Sequence, residues 1–73
     1  MVAVHEAMKA ARRKSGLKQW QLALLAGLSP AQLCWYETGR ATPGLYALVA
    51  IADALHISID ELIGREKGGK NHD

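Results

Sequence analysis

The stretch Gln19-Trp20-Gln21-Leu22-Ala23-Leu24-Leu25-Ala26-Gly27-Leu28-Ser29-Pro30-Ala31-Gln32-Leu33-Cys34-Trp35-Tyr36-Glu37-Thr38-Gly39 decides the fold. Its first half places Leu22, Ala23 and Ala26 on one side of a helix running from Lys18 to Leu25, which Gly27 closes after about two turns. Its second half opens on Ser29-Pro30. A serine oxygen there accepts from the unpaired amides of a first helical turn, and proline at the first helical position loses no hydrogen bond and has its φ already set. Gln32 follows Ser29 at the spacing of a capping box. This second helix is expected to run to Thr38 and stop at Gly39, with Leu33 and Tyr36 facing inward and Leu28 packing from the turn. Two short helices joined through a glycine-containing turn must cross at a steep angle.

Outward from that centre the same signals repeat. Val2 to Lys14 reads as a helix, with Val4, Met8 and Ala11 at helical spacing; Gly16 ends it and Leu17 bridges to the next. Thr42-Pro43 repeats the cap-then-proline pattern and is expected to start a fourth helix that continues through Leu55. Leu48, Ile51, Ala52 and Leu55 supply its core stripe. Ser58 and Glu61 have capping-box spacing and open a short fifth helix ending at Gly64. The expected fold class is therefore all-α, a compact five-helix bundle over residues 1–64, with the polar, glycine-rich residues 65–73 as a flexible tail.

Seventy-three residues make one small domain, whose core stabilises by only about 3–5 kcal/mol unless a staple or a second subunit contributes. Cys34 is the only cysteine, so no internal disulfide forms, and no Cys/His spacing suggests zinc. His5, His56 and His72 are scattered, Cys34 has no histidine within its helix, and no glycine-rich loop joins a strand to a helix. No metal, cofactor or enzymatic activity is expected. The N-terminus lacks a signal-peptide pattern, and the longest apolar stretch, Leu45 to Ala52, is far below the ~20 residues of a membrane span. With the lone thiol, this points to a cytoplasmic protein. Charge is unevenly placed. Residues 1–40 carry six Lys or Arg against two Glu, and residues 41–73 carry three against five Asp or Glu. A cationic half joined to an anionic half suits a protein that turns one end toward a polyanion, although a solvated helix face produces the same imbalance.

A helix, a glycine turn and a capped second helix form the unit that places its second helix in the major groove of DNA. The resemblance is more specific than the geometry. Gly16-Leu17-Lys18-Gln19-Trp20-Gln21-Leu22-Ala23, Ala26-Gly27-Leu28-Ser29 and Leu33-Cys34-Trp35-Tyr36-Glu37-Thr38-Gly39-Arg40 resemble the Cro/CI-type (xenobiotic-response-element, lambda-repressor-like) helix-turn-helix family. The likeness continues through Pro43, Leu48, Ile51-Ala52, Leu55, Ile57-Ser58 and Asp60-Glu61-Leu62, over about residues 8–63. It implies a transcriptional regulator, a repressor acting on double-stranded DNA as a homodimer at a palindromic site. By the same resemblance Gln19 bonds a phosphate and braces the recognition helix, while Arg12 and Glu37 form a structural ion pair. Lys18, Thr38, Gly39, Arg40 and Thr42 join Gln19 around the phosphate backbone.

Base reading falls to Pro30, Ala31, Gln32 and Trp35, and here the sequence departs from the family's polar preference. Proline has no donor and alanine touches only a thymine methyl. Gln32 can pair bidentately with adenine unless its capping box with Ser29 holds it. Specificity then leans on DNA shape and dimer spacing. Leu45, Tyr46, Ile59 and Ile63 are the candidate dimer surface. The rival expectation is a protein-interaction module of the same fold, an antitoxin or adaptor that grips a partner such as a toxin with Trp20 and Trp35.

Overall fold

The computed structural model describes residues 3–64, which fold into α1 (Val4–Lys14), α2 (Gln19–Ala26), α3 (Pro30–Thr38), α4 (Leu45–Leu55) and α5 (Ile59–Leu62). No strand occurs among the described residues. The expected tail over 65–73 and the expected helical residue Val2 lie outside the described residues. Helices of four to eleven residues are too short to persist alone in water, so their stability comes from the faces they bury together.

Those faces close a circuit. α2 packs on α3 and α4, α3 on α1, α1 on α5, and α5 on α4. Inside it lie Met8, Leu22, Ala23, Leu33, Ile51, Ala52, Leu55 and Leu62, with Ala11, Leu17, Ala26, Leu28, Tyr36 and Leu48 partly buried around them. Val4 is the exception to the expected α1 stripe. It is 40% exposed, and Ala7 takes the buried place beside Met8. Val4 instead lines a small recess together with Pro43.

The helix ends explain the short turns. Leu17, Leu28, Arg40 and Ile57 each donate an amide to a carbonyl five residues back, which wraps the chain over the end of the preceding helix. That closure needs a residue with positive φ just before the donor. Gly16, Gly27 and Gly39 supply it for α1, α2 and α3, but α4 uses His56, with φ 57°. A side chain in this region is disfavoured by about 1–2 kcal/mol, part of which glycine returns as unfolded-state entropy. His56→Gly is therefore expected to stabilise by about 0.5–1 kcal/mol, and a thermal melt raised by a few degrees would show it.

The beginning of α4 differs from the expectation. Its N-cap is Gly44, and Thr42-Pro43 do not cap it. Pro43 is buried in the recess it shares with Val4, His5 and Tyr36, and that packing holds the chain extended until Gly44. α5 does start as expected, with the Ser58 hydroxyl accepting from the Glu61 amide at 3.0 Å.

Candidate nucleic-acid interface

α3 owes its start to Ser29. The Gln32 amide donates to Ser29 Oγ at 3.1 Å, and the Ser29 amide donates to Gln32 Oε1 at 3.0 Å, so both halves of the box form. α2 has only the returning half. The Lys18 amide donates to Gln21 Oε1 at 2.8 Å, and a lysine ammonium has no acceptor with which to complete the pair.

The angle between α1, α2 and α3 is fixed by a polar hub. Glu37 is 1% exposed. Its Oε2 accepts from Arg12 Nε at 2.7 Å, and its Oε1 accepts from Arg12 Nη2 and Gln19 Nε2, each at 3.1 Å. Arg12 Nη1 reaches on to the Leu17 carbonyl at 2.8 Å, tying in the turn before α2. A carboxylate this deep is tolerable because a two-pronged guanidinium and an amide satisfy it. Gln19 is thus no freely solvated side chain; it braces α3, and among the described residues its second amide N–H and its carbonyl oxygen have no partner.

With that frame set, α3 turns Leu33 and Glu37 inward and leaves Pro30, Ala31, Gln32 and Trp35 exposed. The exposed side is short of donors and acceptors. Gln32 Oε1 is tethered to Ser29, so the two-pronged approach to adenine requires breaking the cap; its amide N–H groups are the donors that remain.

The loop after α3 brings Arg40 and Thr42 to the surface, both exposed. Its main chain turns inward. The Gly39 amide bonds the Tyr36 carbonyl, and the Arg40 and Ala41 amides bond the Trp35 carbonyl at 2.9 and 3.2 Å. The Thr38 hydroxyl donates to the Cys34 carbonyl at 2.8 Å. Thr38 and Gly39 therefore shape the loop, whereas Lys18, Arg40 and Thr42 carry its exposed polar side chains. His5 was invisible to motif reading. Its ring lies against Gly39, where an added Cβ would stand 3.3 Å from Nδ1. No local signal marks it, because the contact joins the start of α1 to the end of α3.

The candidate dimer residues separate by exposure. Leu45 and Tyr46 are 70% and 91% exposed at the start of α4, while Ile59 and Ile63 are half-buried. Trp20, Leu24 and Leu25 stand exposed on α2. No cluster of three or more metal-ligating side chains occurs among the described residues, and no helix there is long and apolar enough to cross a membrane.

A helix-turn-helix family model matches residues 8–62. The chain belongs to the Cro/CI-type helix-turn-helix family. Among relatives of this Cro/CI-type chain is the cryptic phage CTXphi transcriptional repressor RstR of Vibrio cholerae serotype O1. It is 39% identical over 70 residues, spanning 96% of this chain and 62% of RstR. The immunity repressor of Bacillus phage phi105 is 40% identical over 63 residues, spanning 86% of this chain and 44% of that repressor. The chain thus spans less than two thirds of the length of these curated relatives. In structure it is similar to the P22 c2 repressor solved in complex with synthetic operator 9T. The TM-score is 0.81 at 26% identity, covering 90% of this chain and 100% of the repressor chain.

Proposed function

We propose that this chain is a sequence-specific DNA-binding transcriptional repressor that occludes a palindromic operator as a homodimer, without a cofactor. The observation that carries the reading is the exposed start of α3, held at a set angle by the Arg12–Glu37–Gln19 hub and flanked by the exposed Lys18, Arg40 and Thr42. The P22 c2 repressor in its operator complex and the repressor relatives support it.

In this reading α3 enters the major groove and Pro30, Ala31 and Trp35 touch thymine methyls and sugar edges. Gln32 donates from its free N–H groups. Lys18, the uncommitted Gln19 N–H, Arg40 and Thr42 hold phosphates, with Thr38 and Gly39 setting the shape of the loop. One such helix buries too little surface for tight binding, so two copies meet through Leu45, Tyr46, Ile59 and Ile63 to span successive grooves. The site of action is the cytoplasm, on nucleoid DNA. Residues 1–64 form the binding domain and 65–73 its tail.

Selection from a random duplex pool is expected to enrich a two-fold symmetric motif; failure to enrich any motif at low salt would count against the proposal. Arg40→Ala is expected to weaken binding to every duplex and to lower the slope of log K against log salt by about one. Trp20, 56% exposed, and Leu24, 72% exposed, lie one turn apart on α2 and favour a second reading, a protein-interaction module such as an antitoxin. Under that reading Arg40→Ala leaves partner affinity unchanged.

A further inference from the structure

We propose that His5, from the first turn of α1, is a further phosphate-contacting residue of the DNA interface. The inference deepens the duplex-binding reading and rests on it. The imidazole lies over Gly39, its Nδ1, Cε1 and Cγ atoms 3.3–3.4 Å from where a Cβ would stand. Glycine at position 39 thus serves two needs, a φ of 80° and room for an imidazole. His5 is half-exposed, and among the described residues neither of its ring nitrogens has a hydrogen-bond partner.

The position matters because of what shares it. His5 and Thr42 line the same recess of about 130 Å³, together with Tyr36 and Pro43. Arg40 follows Gly39 directly in the chain, so α1 delivers an imidazole to the segment that offers a guanidinium and a hydroxyl to the backbone of a duplex. Among the described residues, no carboxylate lines this recess. Tyr36 is the other titratable group among the described residues that line it, Lys9 stands one turn further along α1, and Glu6 is exposed next to His5. Glu37, in α3, is committed to Arg12 and Gln19. Among the described residues, the His5 ring has cations nearby and no anion in the recess. A phosphate laid across Thr42 and Arg40 would supply that anion.

Histidine is the side chain that changes charge between pH 5 and 8, and a phosphate stabilises its protonated form. Affinity is therefore expected to rise as pH falls. The test uses the full chain and a labelled random-sequence duplex of thirty base pairs at low salt, because phosphate contacts do not depend on base sequence. Fluorescence anisotropy is followed from pH 8.0 to 5.5. The native chain is expected to bind about tenfold more tightly at pH 5.5. Its salt slope should be steeper there by about 0.9. His5→Gln should lose most of that pH dependence and His5→Arg should bind at pH 8.0 as the native chain does at 5.5, with thermal melts confirming that both variants fold. If the native chain and His5→Gln share one pH profile, the assignment of His5 is overturned and duplex binding stands. If the native chain binds no duplex at either pH, the duplex-binding reading falls and His5 with it.

Discussion

Glu37→Ala is expected to destabilise the fold by about 3–5 kcal/mol, most of what a core of this size supplies. The cause is not the loss of a favourable contact alone. Removing the carboxylate leaves the Arg12 guanidinium, 12% exposed, with its Nε and Nη2 donors facing a void, and it releases Gln19 as well. A urea titration would read the loss as a lower midpoint at unchanged slope, the mark of a stability change in a two-state chain. Arg12→Ala should cost a similar amount, since it strands the buried carboxylate instead. The double replacement Arg12→Met with Glu37→Leu should recover much of the loss, because two apolar groups leave nothing unpaired. A cost below about 1 kcal/mol for either single variant, the value of a solvated surface pair, would remove the hub from its role in holding α1, α2 and α3 together.

Ala31→Glu is expected to do the reverse: abolish duplex binding while leaving the fold intact. Ala31 is the second residue of α3 and is exposed. A carboxylate in a first turn meets the positive end of the helix dipole and adds about 0.3–1 kcal/mol of stability. In a major groove the same charge faces two phosphate backbones. Like-charge juxtaposition costs several kcal/mol, which corresponds to a loss of about 100-fold or more in affinity. Anisotropy with a selected duplex, paired with a thermal melt, separates the two effects. A loss of less than about threefold would place α3 outside the groove.

What the sequence made legible follows the range of each signal. The α2–turn–α3 unit was readable because its caps are local. Ser29, Pro30 and Gln32 lie within four residues, and Gly27 and Gly39 each act on the carbonyls just before them. The competition for Gln32 between capping and adenine was readable for the same reason, and the structure shows the cap in place. Thr42-Pro43 carried an equally local signal and failed, because a contact from elsewhere prevailed. Pro43 is buried against residues of α1 and α3, and the helix begins beyond Gly44. Val4 failed likewise, since spacing shows which residues share a face and not where a helix overhangs its neighbours. The inward-turned amides of Gly39, Arg40 and Ala41, and the imidazole resting on Gly39, depend on loop geometry and on pairings across more than thirty residues. No pattern in the chain encodes those. The Arg12–Glu37 link was expected from family likeness alone; periodicity offered nothing to join residues twenty-five positions apart.

α5 has four residues, yet it closes the circuit between α4 and α1, and Leu62 at its end is wholly buried. Since every helix has two neighbours, none can detach without stripping cover from both, and the smallest member guards the seam. The molecule should come apart in one step, with the backbone protons of α2 exchanging with solvent no faster than the rate set by global opening. A cut just before Ile59 would therefore cost the protein far more than the handful of residues it removes.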